Sequence, residues 1–422
     1  MTRFAFIADD FTGATDALWQ FRRCGLTGSL VTDVAHLHDG DDVIGLATTA
    51  RAAADPAEVV LPAFMAMAEL KPLVIQYKVC STFDSAPDLG SIGAVIAALH
   101  RSGLTRGGPV PVLAAQPEFG RYTWFANHFV RAGDDVLRLD RYPPMRDHPV
   151  TPATEADLRV RLTEQGAGRV GWLPADPSQE AYRALAGDAA FIADATTEAH
   201  LRALGALLLA DAASRTGPLY CVGSGGLSHA LASAHIGPPH DATPAAPLGS
   251  AEPVLVVSGS RSPITARQID TAERAGWRVV DLPEGGRPPE VLESLGEGRH
   301  TIVQSTRGPA RDPDAIGVLL GQVASAAVQA GLVGRLVVAG GDTSGQVVAA
   351  LGARSLDVVA TLAVGGPVCV LASDDPACDG LEIALKGGQV GDDAYFLRAA
   401  TGRMGGCVSS RSTVPRTPSS SP

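Results

Sequence analysis

Two adjacent carboxylates, Asp9 and Asp10, follow the first apolar run of the chain, Phe4-Ala5-Phe6-Ile7-Ala8. The segment continues Phe11-Thr12-Gly13-Ala14-Thr15-Asp16, and Ala17-Leu18-Trp19-Gln20-Phe21 then reads as helix. Carboxylates at the C-terminal end of a first strand sit where open α/β sheets bind their ligands. Asp10 or Thr12 can cap the helix that follows. Only one carboxylate can do so, and the other then needs a reason to occupy the ligand edge.

Two more polar clusters occupy strand ends in this half. Gln76-Tyr77-Lys78-Val79-Cys80-Ser81-Thr82-Phe83-Asp84-Ser85 follows the apolar run Leu73-Val74-Ile75. Its lysine, hydroxyls and carboxylate suit the carboxylate and hydroxyls of a small polar ligand. In Pro117-Glu118-Phe119-Gly120-Arg121-Tyr122, Arg121 offers a planar fork for a carboxylate or phosphate. His148 lies in a turn-prone loop and counts only in company.

The second half carries glycine-bearing junctions instead. Ser258-Gly259-Ser260-Arg261-Ser262 follows a strand and precedes a helix, and Gly340-Gly341-Asp342-Thr343-Ser344-Gly345 repeats that design. Lys386-Gly387-Gly388-Gln389-Val390-Gly391 is a third such loop. Glycines let backbone approach a ligand, and helix N-terminal amides with hydroxyls suit phosphate. Three in one half read as a nucleotide site. A G-x-x-x-x-G-K-[ST] loop is absent, and Gly223-Ser224-Gly225-Gly226-Leu227-Ser228 lacks the last glycine of a dinucleotide loop.

These residues need a scaffold that gathers strand ends. Apolar runs at Phe4–Ala8, Gly28–Thr32, Val43–Ala47, Leu73–Tyr77, Val110–Ala114, Val136–Leu139 and Val170–Leu173 alternate with helix-like stretches such as Ile92–His100 and Ala199–Ala213. The pattern predicts an α/β protein of two domains, each with a mainly parallel sheet flanked by helices. Residues 1–234 form the first domain and the Pro/Gly-rich 235–253 a linker. Strand-like runs restart at Val254, so 254–404 is the second domain, and Ser/Arg/Thr/Pro-rich 405–422 reads as a disordered tail. No internal sequence repeat is evident.

The chain has 422 residues, 45% hydrophobic, with a net charge of -11. That balance argues against nucleic acid or an anionic membrane as partner, though an acidic whole can hold a basic pocket. Six scattered cysteines form no C-x-x-C pair, so no metal ligands are assigned. Without a signal-peptide pattern or a spanning apolar run, the cytoplasm is the expected compartment. A homodimer is the base-rate expectation for assembly.

Taken together the motifs resemble the four-carbon acid sugar kinases, from about Phe4 to Phe396. The carriers are Ala8 to Asp16, Tyr77 to Ser85, Ser258 to Ser262, Gly340 to Thr343 and Leu385 to Gly388. The Cys80-Ser81-Thr82-Phe83-Asp84-Ser85 version is most similar to the 3-oxo-tetronate kinase branch. Two loops depart from the family pattern: Gln389-Val390-Gly391 replaces Asn-Phe-Gly, and Gly365-Gly366-Pro367 replaces Gly-Val-Pro. The resemblance implies an N-terminal sugar-acid domain, a C-terminal nucleotide domain, and transfer of a phosphoryl group from ATP, with Mg2+, to a C4 hydroxyl.

By that resemblance Asp9 or Asp10 is the catalytic base. Asp16, Lys78, Ser81, Asp84 and Arg121 bind the acid. Ser258, Ser260, Gly340, Gly341, Asp342, Thr343 and Gly388 bind the nucleotide. Threonate and erythronate are the alternative acceptors. An NAD(P)-dependent dehydrogenase and a non-catalytic sugar-acid sensor are the rivals from other classes.

Overall fold

A computed structural model describes residues 2–148, 150–236, 248–283, 288–308 and 311–403. The first half contributes β1 (Phe4–Ala8), β2 (Gly28–Val31), β3 (Val43–Ala47), β4 (Val74–Lys78) and β5 (Val110–Leu113). Next come β6 (Arg121–Trp124), β7 (Asn127–Ala132) and β8 (Asp135–Arg138), then β9 (Val170–Leu173), β10 (Ala190–Ala193) and β11 (Leu219–Gly223). The second half contributes β12 (Val254–Ser258), β13 (Arg278–Asp281), β14 (Thr301–Gln304) and β15 (Arg335–Ala339). It ends with β16 (Ala353–Ala363), β17 (Gly366–Ser373) and β18 (Glu382–Lys386).

Fifteen of these strands make one twisted sheet in the order β13-β14-β12-β15-β18-β17-β16-β2-β3-β1-β4-β11-β5-β10-β9. Each half is mainly parallel. The antiparallel pairs lie at the seam, β18 with β17, β17 with β16 and β16 with β2. The central strands are buried along their whole length, as expected where helices cover both faces. Their apolar side chains feed packed layers on either side, Phe4 and Phe6 on one face and Ala5 and Ile7 on the other.

The two halves share a local topology. Around β1 the order is β2-β3-β1-β4, and around β12 it is β13-β14-β12-β15. In each, the third strand returns beside the first and the fourth crosses to its far side. The reversal opens a crevice beyond the strand ends, between β1 and β4 and between β12 and β15. Ala8 pairs with Lys78 at one reversal and Ser258 with Ala339 at the other. The polar motifs of the sequence therefore follow strands at the two places where this topology puts ligands.

Several elements differ from the sequence pattern. Of the run Val136–Leu139, residues 136–138 lie in β8 of a separate three-stranded antiparallel sheet, β6-β7-β8, where they are largely exposed, and buried Leu139 opens the short turn Leu139–Arg141. Lys78 is the last residue of β4 rather than part of the following loop. Asp342 and Thr343 lie in the first turn of helix Gly341–Ala350. In the expected linker, His235 and Ile236 complete helix Gly225–Ile236, and residues 248–253 form no regular element. Residues 237–247 and the expected tail, 405–422, lie outside the described residues.

Candidate active site

Helix Phe11–Arg22 begins directly after Asp9-Asp10, and Asp10 is its N-cap. Asp10 Oδ1 accepts the Gly13 amide at 2.7 Å, and Oδ2 accepts the Thr12 hydroxyl. Asp9 points elsewhere. Parallel pairing of β1 with β3 brings in the short turn Ala50–Ala52, and Arg51 from that turn grips Asp9 with Nε at 3.1 Å and Nη2 at 2.6 Å. Its Nη1 donates to Asp10 Oδ2 at 2.7 Å.

The two carboxyls respond differently. Burial pushes Asp9 upward, with the charge of Asp10 adding to it and Arg51 opposing. Asp10 is equally desolvated, yet Arg51, Lys78, and the bonds from Thr12 and Gly13 hold it below the ordinary range. Asp10 is thus held in its ionised form at the cleft.

A cleft of about 420 Å3 lies beyond these groups. From the first half, Asp10, Asp16, Lys78, Ser81, Asp84 and Arg121 line it; from the second half, Gly341, Asp342 and Gly388 do. Asp9, Ser258, Ser260, Gly340 and Thr343 do not line it. Lys78 is buried, and its Nζ donates to the Val79 carbonyl at 3.1 Å. It approaches the Asp10 cap so closely that a Cβ on Gly13 would fall 2.8 Å from Nζ and 2.5 Å from Asp10 Oδ1. Arg121 is 8% exposed and has no carboxylate partner among the described residues. One Nη of Arg121 donates to the Phe119 carbonyl at 2.8 Å, while the buried Nε has no partner. Burial lowers its pKa. A buried, incompletely bonded guanidinium facing a cleft calls for an anion.

The loop of Ser81 to Ser85 is held from behind. His128 is fully buried, with Nε2 2.8 Å from the Ser81 carbonyl and Nδ1 3.0 Å from the Thr123 hydroxyl. Burial drops its pKa to about 3, so the ring is neutral. Arg161 donates to the carbonyls of Phe83 and Ser85. Asp84 accepts the Thr151 hydroxyl, which also meets His148 Nδ1 at 2.8 Å. Asp16 accepts from Gln20 and Gln116.

On the opposite wall the three glycine-bearing loops converge. The Ser260 amide donates to the Ala339 carbonyl and the Gly340 amide to the Lys386 carbonyl. Ser260 Oγ lies 3.1 Å from Thr265 Oγ1. Ser258 is completely buried and bonds Thr306. Helix Gly341–Ala350 aims its N-terminus at the cleft, and among the described residues no side chain caps it. Its unpaired amides and dipole suit an anion. Lys386, fully buried, donates from Nζ to Thr265 Oγ1 at 3.1 Å and sits over the Tyr395 and Phe396 rings.

Sequence reasoning missed Arg51, Gln116, Thr151 and Lys386 as parts of this region. Arg51 had no local signal, because it arrives by strand pairing. Lys386 was visible at the head of the third loop but unassigned.

A family model described as a sugar-binding N-terminal domain matches residues 4–231, and one described as a nucleotide-binding C-terminal domain matches residues 255–396. A 3-oxo-isoapionate kinase of Paraburkholderia graminis is 34% identical, with 95% of each chain covered. The chain belongs to the four-carbon acid sugar kinase family. A 3-oxo-tetronate kinase of Pseudomonas fluorescens is 33% identical, over 95% of this chain and 97% of that one. The crystal structure of a Salmonella typhimurium LT2 protein, labelled a tRNA synthase, superimposes with a TM-score of 0.73 at 25% identity. It covers 94% of this chain and 98% of that one. Membership makes the chain a sugar kinase by class, with a sugar-binding half and a nucleotide-binding half. No helix among the described residues is long and apolar enough to cross a membrane.

Proposed function

We propose that the chain is an ATP-dependent kinase that phosphorylates the C4 hydroxyl of 3-oxo-tetronate, giving 3-oxo-tetronate 4-phosphate. One observation carries the reading. A single cleft joins a wall bearing the buried cations Lys78 and Arg121 to an uncapped helix N-terminus at Gly341, with Asp10 between them. Residues 1–234 hold the acid in this reading, and residues 254–404 hold the nucleotide.

Arg121 and Lys78 bind the acid's carboxylate, and Ser81, Asp84 and Asp16 position its hydroxyls. A carboxylate offers about four acceptor sites. The cap and Arg51 occupy three on Asp10, and the remaining one on Oδ1 orients the C4 hydroxyl and takes its proton. The acceptor oxygen forms a bond to the γ-phosphorus as the bond to the ADP oxygen breaks, and that electron pair leaves with ADP. Gly341, Asp342 and Gly388 cradle the phosphates, and Gly340, Thr343, Ser260 and Ser258 support them from behind. Asp9 holds Arg51 in place.

Among the described residues no group of three or more His, Cys, Asp or Glu side chains forms a metal site. That suits magnesium, which binds through one or two carboxylates together with substrate phosphates. Asp342, at the helix N-terminus in the cleft, fits as such a carboxylate, and the ion would supply charge neutralisation on the phosphates. Closure of the halves over both substrates keeps water from wasting ATP.

A second acceptor, 3-oxo-isoapionate, is supported by the 34% identity to a kinase of that name. The test is ADP release, coupled to a reporter, with 3-oxo-tetronate, 3-oxo-isoapionate, threonate and erythronate. Highest kcat/KM on 3-oxo-tetronate, and its loss in Asp10→Asn, is the expected result. ADP release with none of the acids, or an undiminished Asp10→Asn, sinks the reading.

A further inference from the structure

Arg51 stands where the two half-sites meet. Its guanidinium bridges Asp9 and Asp10 on one side. On the other it faces the second half, since a Cβ built on Gly341 would lie 4.0 Å from its Nη1. The side chain is 20% exposed and lines the cleft. Three of its five N–H groups are used, one each on Nε, Nη1 and Nη2. One N–H on Nη1 and one on Nη2 remain.

We propose that Arg51 is a catalytic residue that binds the phosphoryl group in flight. The inference rests on the kinase reading above. In that reading the acceptor oxygen sits at Asp10 and the phosphate at the N-terminus of helix Gly341–Ala350. The group moving from one to the other must pass Arg51. Charge spreads onto the three equatorial oxygens in the transition state, and a fixed guanidinium with two free donors is preorganised to meet them. The forked bond to Asp9 removes the freedom that a flexible arginine would otherwise lose on binding. Arg51 forms and breaks no covalent bond. The proton still goes to Asp10, and the electron pair of the broken P–O bond to ADP.

The arrangement also explains two carboxylates in sequence. Asp9 fixes the guanidinium, and Asp10 keeps its own acceptor site for the hydroxyl. Arg51 in turn keeps Asp10 ionised.

The test compares wild type, Arg51→Gln and Arg51→Lys by calorimetry. The probes are ADP with magnesium, alone and then with aluminium fluoride and 3-oxo-tetronate, which together mimic the planar phosphoryl group. Wild type should bind the fluoride complex at least ~10²-fold more tightly than ADP alone. Arg51→Gln should bind ADP within about threefold of wild type, lose that tightening, and lose ~10³-fold in kcat with little change in either KM. Arg51→Lys keeps the fold's ion pair should glutamine prove unstable, and it too should lose most of the tightening, because an ammonium cannot hold the fork. Full tightening in both variants, or a kcat loss matched by a rise in the acid's KM, overturns the proposal. A wild type that binds no ADP overturns the kinase reading and this inference with it.

Discussion

Gly341 lies against Asp10 across the cleft, so close that a Cβ on Gly341 would stand 3.1 Å from Asp10 Oδ2. Asp10 and the helix N-terminus are thus neighbours although the sequence separates them by most of the chain. A side chain at 341 would press on Asp10 and on the route between them. Gly341→Val should lower kcat by ~10²-fold, since a shift of about 1 Å at a reacting centre costs that much. Steady-state kinetics beside a circular-dichroism spectrum check this, and an unimpaired kcat in the folded variant counts against it.

The adjacent aspartates should separate by phenotype. Asp10→Asn keeps a good N-cap residue but gives up a charge that Arg51 and Lys78 stabilise, so it should lose stability as well as dropping kcat by about 10²–10⁴-fold. Asp9→Asn leaves Arg51 paired with Asp10, and because burial disfavours the Asp9 charge, its loss should cost less stability than loss of the Asp10 charge. Denaturant melts of both variants beside kcat values decide the matter. Equal losses of stability in the two would contradict these separate roles.

Arg121 should govern acid affinity alone. Truncation to Ala removes a charged hydrogen-bonding group worth about 1.5–3 kcal/mol, so KM for the acid should rise by roughly 10–150-fold. KM for ATP should stay within about twofold, because Arg121 belongs to the opposite wall from the glycine-bearing loops. A comparable rise in both KM values is the result that would refute it.

Lys386 gives stability a pH dependence. Burial lowers its pKa from 10.5 to about 7. Above about 10.5 the amine is neutral in both folded and unfolded chains and has no effect. As pH falls from there toward 7, the unfolded chain takes up the proton and the folded one does not, so folding is progressively disfavoured. Below about 7 both are charged and the effect levels off. Lys386→Met removes this, so its stability relative to wild type should increase between pH 9.5 and pH 7, flanking values chosen at about the two ends. Urea melts at the two pH values measure the gap, and a gap independent of pH refutes the assignment.

The motifs readable in the chain were those built from consecutive residues. Asp9-Asp10, Lys78 with Ser81, and the loops at Ser258, Gly340 and Lys386 announce themselves because a strand end and its ligand groups adjoin in sequence. Arg51 does not, since Thr48-Thr49-Ala50-Arg51 looks like any turn until β3 pairs with β1. Which aspartate faces the cleft was equally hidden, because the choice depends on where that guanidinium lands. The β16–β17 hairpin escaped notice because it is antiparallel and β16 alternates buried with partly exposed positions, unlike the fully buried runs around it. The run at Val136 misled for the converse reason: an apolar stretch can edge a small separate sheet as well as a core.

The seam between the halves has a bearing on how the protein can be taken apart. β2 closes its outer edge only by pairing Leu30 and Val31 with Leu356 and Ser355 of β16. A fragment ending before the second half would leave that edge with open backbone donors and acceptors, and the complementary fragment would bare β16. Such edges recruit any strand that fits. Separately expressed halves would therefore be adhesive, each a template for the other or for its own copies, and co-expression is the natural route to handling them.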